Sequence, residues 1–68
     1  MAEQVLNIGG MTCQGCVNSV TRVLQALPGV ESVAVSLEKS EARVRYDPSR
    51  VAPDAFRQAV QQAGFEVR

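Results

Sequence analysis

The sequence contains no histidine. That removes the commonest general base, the Ser-His and Cys-His dyads, and every zinc site that mixes Cys with His. Net charge is also missing: seven Lys/Arg balance seven Asp/Glu, which argues against a nucleic-acid binder working by bulk electrostatics. No apolar run approaches the ~20 residues of a membrane span. Met1-Ala2-Glu3-Gln4 is not a basic leader start and no apolar stretch follows it, so no secretory signal is expected. Linkers, low-complexity tracts and charge runs are absent. Cysteine is scarce, with only Cys13 and Cys16. A disulfide-stapled secreted scaffold would carry four or more at wide spacing. A bridge between these two would close a tiny loop and constrain little of the unfolded chain. A structural zinc site needs four ligands, and one chain supplies two.

What is present is a chain of 68 residues, 46% apolar and 21% charged, which is a globular composition and length for one domain over residues 1–68. A core of this size supplies only ~3–5 kcal/mol of net stability. Gln4 to Ile8 reads as a strand with Leu6 and Ile8 on one face, ended by Gly9-Gly10. A helix is expected from about Gln14 to Leu27, with Val20, Val23, Leu24 and Leu27 as its apolar stripe and Pro28-Gly29 as its stop. Val30 to Leu37 alternates, and Ala42, Val44 and Tyr46 continue the alternation beyond a polar turn, with Arg43 and Arg45 facing out. That suggests an antiparallel pair with one covered face. Pro53 and Asp54 suit the start of a second helix, whose stripe is Phe56, Ala59, Val60 and Ala63. Gly64 fits its C′ position, and Phe65 to Arg68 is a short last strand. The order β-α-β-β-α-β, with right-handed crossovers, predicts an α+β ferredoxin-like sandwich: a four-stranded antiparallel sheet with two helices on one face.

This reading puts C-x-x-C where the first strand hands over to the first helix. The unpaired N–H groups and the positive dipole end there favour a thiolate, expected first at Cys13. Cys16, inside the first turn, points toward the core side of the helix and is the more sheltered sulfur. A redox dithiol, a two-thiolate metal site and two ordinary small residues all fit such a pair. Two soft thiolates with no hard ligand beside them suit a soft, low-coordinate ion, copper(I) best, with silver(I) or mercury(II) also fitting.

Gly10-Met11-Thr12-Cys13-Gln14-Gly15-Cys16 resembles the G-M-T-C-x-x-C signature of the heavy-metal-associated domain family. Leu27-Pro28-Gly29-Val30, Val44-Arg45-Tyr46-Asp47 and Ala63-Gly64-Phe65 are similar too, so the resemblance covers essentially the whole chain. It implies the same fold, with Cys13 and Cys16 as metal ligands, Thr12 shaping the loop, Met11 packing beneath it, and Phe65 near the loop. Thr12 before the first cysteine is similar to copper-handling members. The implied protein is a cytoplasmic copper(I) chaperone, not an enzyme. It would hand its ion to a copper-transporting P-type ATPase or another C-x-x-C metal-transfer protein, as a monomer or a metal-bridged dimer. Gln14, Gly15, Asn18 and Arg22 would lie at the contact. The alternatives are the metal-binding domain of such an ATPase, a mercury(II) carrier and a dithiol oxidoreductase. Gly15 stands where many bacterial chaperones have His, and Phe65 where they often have Tyr; Phe there is similar to the ATPase domains. A chain that starts with Met and ends with the domain points instead to a free protein.

Overall fold

The computed structural model describes residues 2–68. The elements are β1 (Ala2–Gly9), α1 (Gln14–Gln25), β2 (Val30–Ser36), β3 (Glu41–Tyr46), α2 (Pro53–Gln62) and β4 (Glu66–Val67). The strands form one sheet in the order β2-β3-β1-β4, antiparallel throughout. Period-2 side chains then decide the layers. Leu6 and Ile8 of β1 and Ala42, Val44 and Tyr46 of β3 are buried on one face, while Arg43 and Arg45 lie on the exposed one. The buried face meets Val17, Val20 and Leu24 of α1 and Phe56 and Val60 of α2. Tyr46 and Phe56 meet edge to face with ring centres 4.8 Å apart, the favoured aromatic geometry. This is the expected ferredoxin-like sandwich with both helices on one face.

Several ends differ from the expected ones, each for a local reason. The first helix stops at Gln25, with Ala26 as its cap, because Pro28 disfavours helical backbone at the residue before it. Its buried stripe is centred on Val17, Val20 and Leu24; Val23 and Leu27 are half-buried at the margin. Leu37 leaves β2 to open the hairpin, where Ser40 N–H bonds the Leu37 carbonyl at 3.3 Å, and it is 37% exposed. Ala63 caps α2 and is exposed. Phe65 is not in β4, because its N–H is tied to the carbonyl of Val60 while Gly64 N–H bonds Gln61. With Gly64 at φ +97°, that is a Schellman end, and it uses the amide that Phe65 would need for the ladder.

Candidate metal centre

The antiparallel pairing Gly9↔Glu66 sets the end of β1 beside the segment that leaves α2. From Gly9 the chain must turn into α1 on the covered face. Gly10 makes that turn at φ +90°, open to glycine without strain. Met11 follows with 7% exposure and joins the core, anchoring the loop from below. Thr12 and Cys13 are exposed. Phe65 is half-buried beside this loop: its Cδ1 would lie 3.8 Å from a Cβ placed on Gly10. The resemblance put Met11 and Phe65 in these places.

Cys13 is the N-cap of α1, with extended backbone and no capping side-chain hydrogen bond. Its carbonyl accepts from the N–H of Cys16 at 3.1 Å and of Val17 at 3.3 Å, which starts the helix. A Ser, Thr, Asn or Asp at this position would satisfy a first-turn N–H and add about 1 kcal/mol. Here a sulfur takes the place, and α1 has no acidic residue in its first turn. The helix therefore offers its positive end to whatever anion the loop holds.

The two sulfurs are brought together. Cys13 Sγ and Cys16 Sγ lie 3.5 Å apart, both as free cysteines, Cys13 exposed and Cys16 half-buried. Cys16 packs against the core cluster, as its place on the helix implied. The loop's donors act on Cys16. The Thr12 backbone N–H, first, and then the Cys13 thiol hold Cys16 below the ordinary thiol range; partial burial opposes them, and the Cys13 N–H and the Thr12 hydroxyl add to the lowering. Residue types alone did not reveal this use of Thr12, since its main contribution comes from a backbone amide.

Among the described residues no third His, Cys, Asp or Glu joins the pair to complete a group of three. Of the expected contact residues, Gln14, Gly15, Asn18 and Arg22 are all exposed on α1, and the Gln14 amide reaches Asn18 Oδ1 at 3.5 Å. Among the described residues no helix is long and apolar enough to cross a membrane.

A ferredoxin-like sandwich with a paired-thiol loop at one end is the class that this fold and site define. Residues 5–66 match the heavy-metal-associated domain, and the chain belongs to that family. It is 44% identical over 64 residues to copper-transporting ATPase 1 of Rattus norvegicus, a match covering 94% of this chain and 4% of that protein. The chain thus spans only a small part of that relative. It is 38% identical to the copper chaperone CopZ of Staphylococcus haemolyticus, covering 100% of both chains. Among solved structures, the yeast copper transporter domain Ccc2a, determined in apo and Cu(I)-loaded states, superposes with a TM-score of 0.91 at 35% identity, covering 97% of this chain and 90% of that one.

Proposed function

We propose that this chain is a copper(I) carrier. Cys13 and Cys16 hold one ion as a thiolate pair and pass it by ligand exchange to a second C-x-x-C site, on a copper-transporting P-type ATPase or another metal-transfer protein. The observation that carries this reading is the pair of free sulfurs 3.5 Å apart, one exposed and one half-buried, at the start of α1. Two soft donors without hard neighbours favour copper(I) over zinc, which would need two more ligands. Copper is also what the named relatives handle, and Cu(I) is the loaded state of the yeast domain.

In this reading the exchange has a direction. At metal–sulfur bonds of about 2.3 Å, the zinc–thiolate length, a linear pair spans about 4.6 Å. Loading therefore opens the sulfurs from 3.5 Å by about 1 Å. Cys13, exposed at the cap, is free to swing; Cys16, packed on the core and held by loop donors, stays. A partner thiolate approaches on the Cys13 side and makes a third copper–sulfur bond. One of this chain's copper–sulfur bonds then breaks. The leaving thiolate takes up the proton that the incoming thiol gave to water. Copper stays monovalent, so no oxidant or reductant is consumed, and the chain is not an enzyme. A reducing compartment such as the cytoplasm keeps both thiols free for this exchange.

Copper(I) titration against a tight competing chelator tests the reading. One ion per chain is expected, and none in the Cys13→Ser/Cys16→Ser double variant; unchanged binding in that variant refutes the site. The same chemistry serves a tethered ATPase domain, a second reading favoured by the identity to the rat ATPase. An antibody against this domain separates the two in the source cell: a band near 7.3 kDa marks the free carrier, a much larger one the tethered domain.

A further inference from the structure

The sheet ends in two unlike edges. β4 is two residues long and is followed by Arg68, so it offers little to a further strand. β2 is seven residues long and, among the described strands, pairs with β3 alone. On its other side alternate backbone N–H and C=O groups point away from the sheet. Natural edges of this length usually carry Lys, Pro or a bulge that turns pairing away. Here the irregularity lies between Val30 and Ser32, and beyond it Ser32-Val33-Ala34-Val35-Ser36 has neither charge nor proline. Its valines are also incompletely covered. Val33 and Val35 are half-buried, whereas Val44 and Ala42, their partners on β3, are fully buried.

The same stretch reads identically in both directions. An antiparallel two-fold pairing reverses one copy on the other, so it suits a self-complementary strand. Centred on Ala34, it sets Ala34 against Ala34 of the second copy, Val33 against its Val35 and Ser32 against its Ser36. The valines then cover each other on the helix side, and small residues meet on the open side. Charge complements this register. Arg45 neighbours Ser32 and Glu41 neighbours Ser36 on β3, so each outer row runs Arg45, Ser32, then Ser36 and Glu41 of the second copy. The charged pair is three strand spacings apart, about 14 Å, a span that two long side chains close over the serines. Among the described residues the ion pairs are Glu3–Arg43 and Asp54–Arg57, so neither Arg45 nor Glu41 is already engaged. In the central row the two copies of Arg43 are like charges, but each turns to its own Glu3, with Nε 3.8 Å from Oε1. The chain has no net charge to hold the copies apart.

We propose that β2 is a self-association edge: a second copy of the chain adds its β2 antiparallel to this one and joins the two four-stranded sheets. The thiol loop lies at the hairpin end of β1, where Ile8 N–H bonds the Ser40 carbonyl at 2.8 Å. The two-fold sends the hairpins to opposite ends, so both thiol pairs stay open and no single ion touches both. Association is therefore independent of metal and of the cysteines. The contact is about one strand wide, at the low end of specific interfaces, so the dimer is transient. This goes beyond the copper-carrier reading and does not rest on it.

Sedimentation equilibrium of the reduced, copper-free chain from about 10 µM to about 2 mM tests the edge, with the Cys13→Ser/Cys16→Ser variant alongside to exclude the sulfurs. A reversible monomer–dimer equilibrium of equal strength in both is expected. Ala34→Lys, at an exposed position, sets two ammonium groups face to face and should weaken association at least about fivefold; mixed with Ala34→Glu it should recover to within about twofold of the native chain. Circular dichroism verifies that each variant is folded. A chain that stays monomeric over this range, a dimer lost with the cysteines, an Ala34→Lys chain that dimerises as the native one does, or a mixture that fails to recover overturns the proposal. None of these outcomes touches the copper-carrier reading, which the chelator titration decides separately.

Discussion

Cys16 owes its lowered thiol first to the Thr12 backbone N–H and only second to the Cys13 sulfur, and the two causes are separable. Cys13→Ser removes the second and leaves the first. The thiolate absorbance of that variant, followed against pH, should therefore still rise at lower pH in the folded chain than in urea. A Cys16 that titrates with the unfolded chain would assign the shift to the sulfur–sulfur contact instead. The sign of the linkage follows. A thiol lowered in the folded state favours folding above its unfolded value, and that contribution fades as pH falls through the folded value. For copper the same lowering means less competition from protons, so affinity should hold to lower pH than in an unstructured C-x-x-C peptide. The spacing of the cysteines and their unequal exposure were legible from helix periodicity. That the Thr12 amide acts on Cys16 was not, because a backbone amide belongs to every residue and no residue type announces it.

Two glycines with the same backbone conformation separate strain from collision in the elements they terminate. Gly64 ends α2 at φ +97°, and nothing lies within 4 Å of where its Cβ would be. Gly29 turns the chain from α1 into β2 at φ +89°, and its Cβ would lie 2.8 Å from Arg50 Cβ while its carbonyl holds the Asp47 N–H at 2.8 Å. Gly64→Ala should cost the left-handed penalty alone, about 1–2 kcal/mol, a drop of roughly 4–8 °C per kcal/mol in a domain this small. Gly29→Ala adds a collision, bringing the loss to about 2–4 kcal/mol, most of the ~3–5 kcal/mol that a core of this size supplies. Thermal melts of both variants check the order; equal losses would mean that the Arg50 segment yields freely. The elements themselves were readable wherever alternation met a polar partner face, as at Ala42, Val44 and Tyr46. Their ends were less so. Leu37 and Phe65 carry strand-like side chains, yet a hairpin hydrogen bond and a Schellman end decide where they sit. The irregularity between Val30 and Ser32 in the β2–β3 register leaves the apolar pattern unchanged and so gave no sign of itself.

Across the whole molecule, the proposed ligands come from one loop and the helix turn after it, while the stability comes from contacts distant in sequence. That separation has a thermodynamic consequence. A ligand that binds only the folded state stabilises it by about 4 kcal/mol at a thousandfold excess over its dissociation constant, and keeps adding as its concentration rises. A site assembled from distant strands behaves this way, because unfolding disperses it. Cys13 and Cys16 remain three residues apart when the chain unfolds, so on the copper-carrier proposal the unfolded state keeps the thiol pair that would hold the ion. Folding adds the N–H donors on Cys16 and the anchoring of the loop by Met11, which improve that site but do not create it. The thermal midpoint should therefore rise with buffered free copper(I) at first and then level off, once both states are loaded. The height of the plateau measures the ratio of the two affinities. A C-x-x-C peptide spanning residues 9–18 gives the unfolded affinity independently, and the two estimates should agree. A midpoint that climbs without a plateau, with a peptide that fails to bind, would mean that the fold creates the site, and that copper reaches more of the molecule than the two sulfurs.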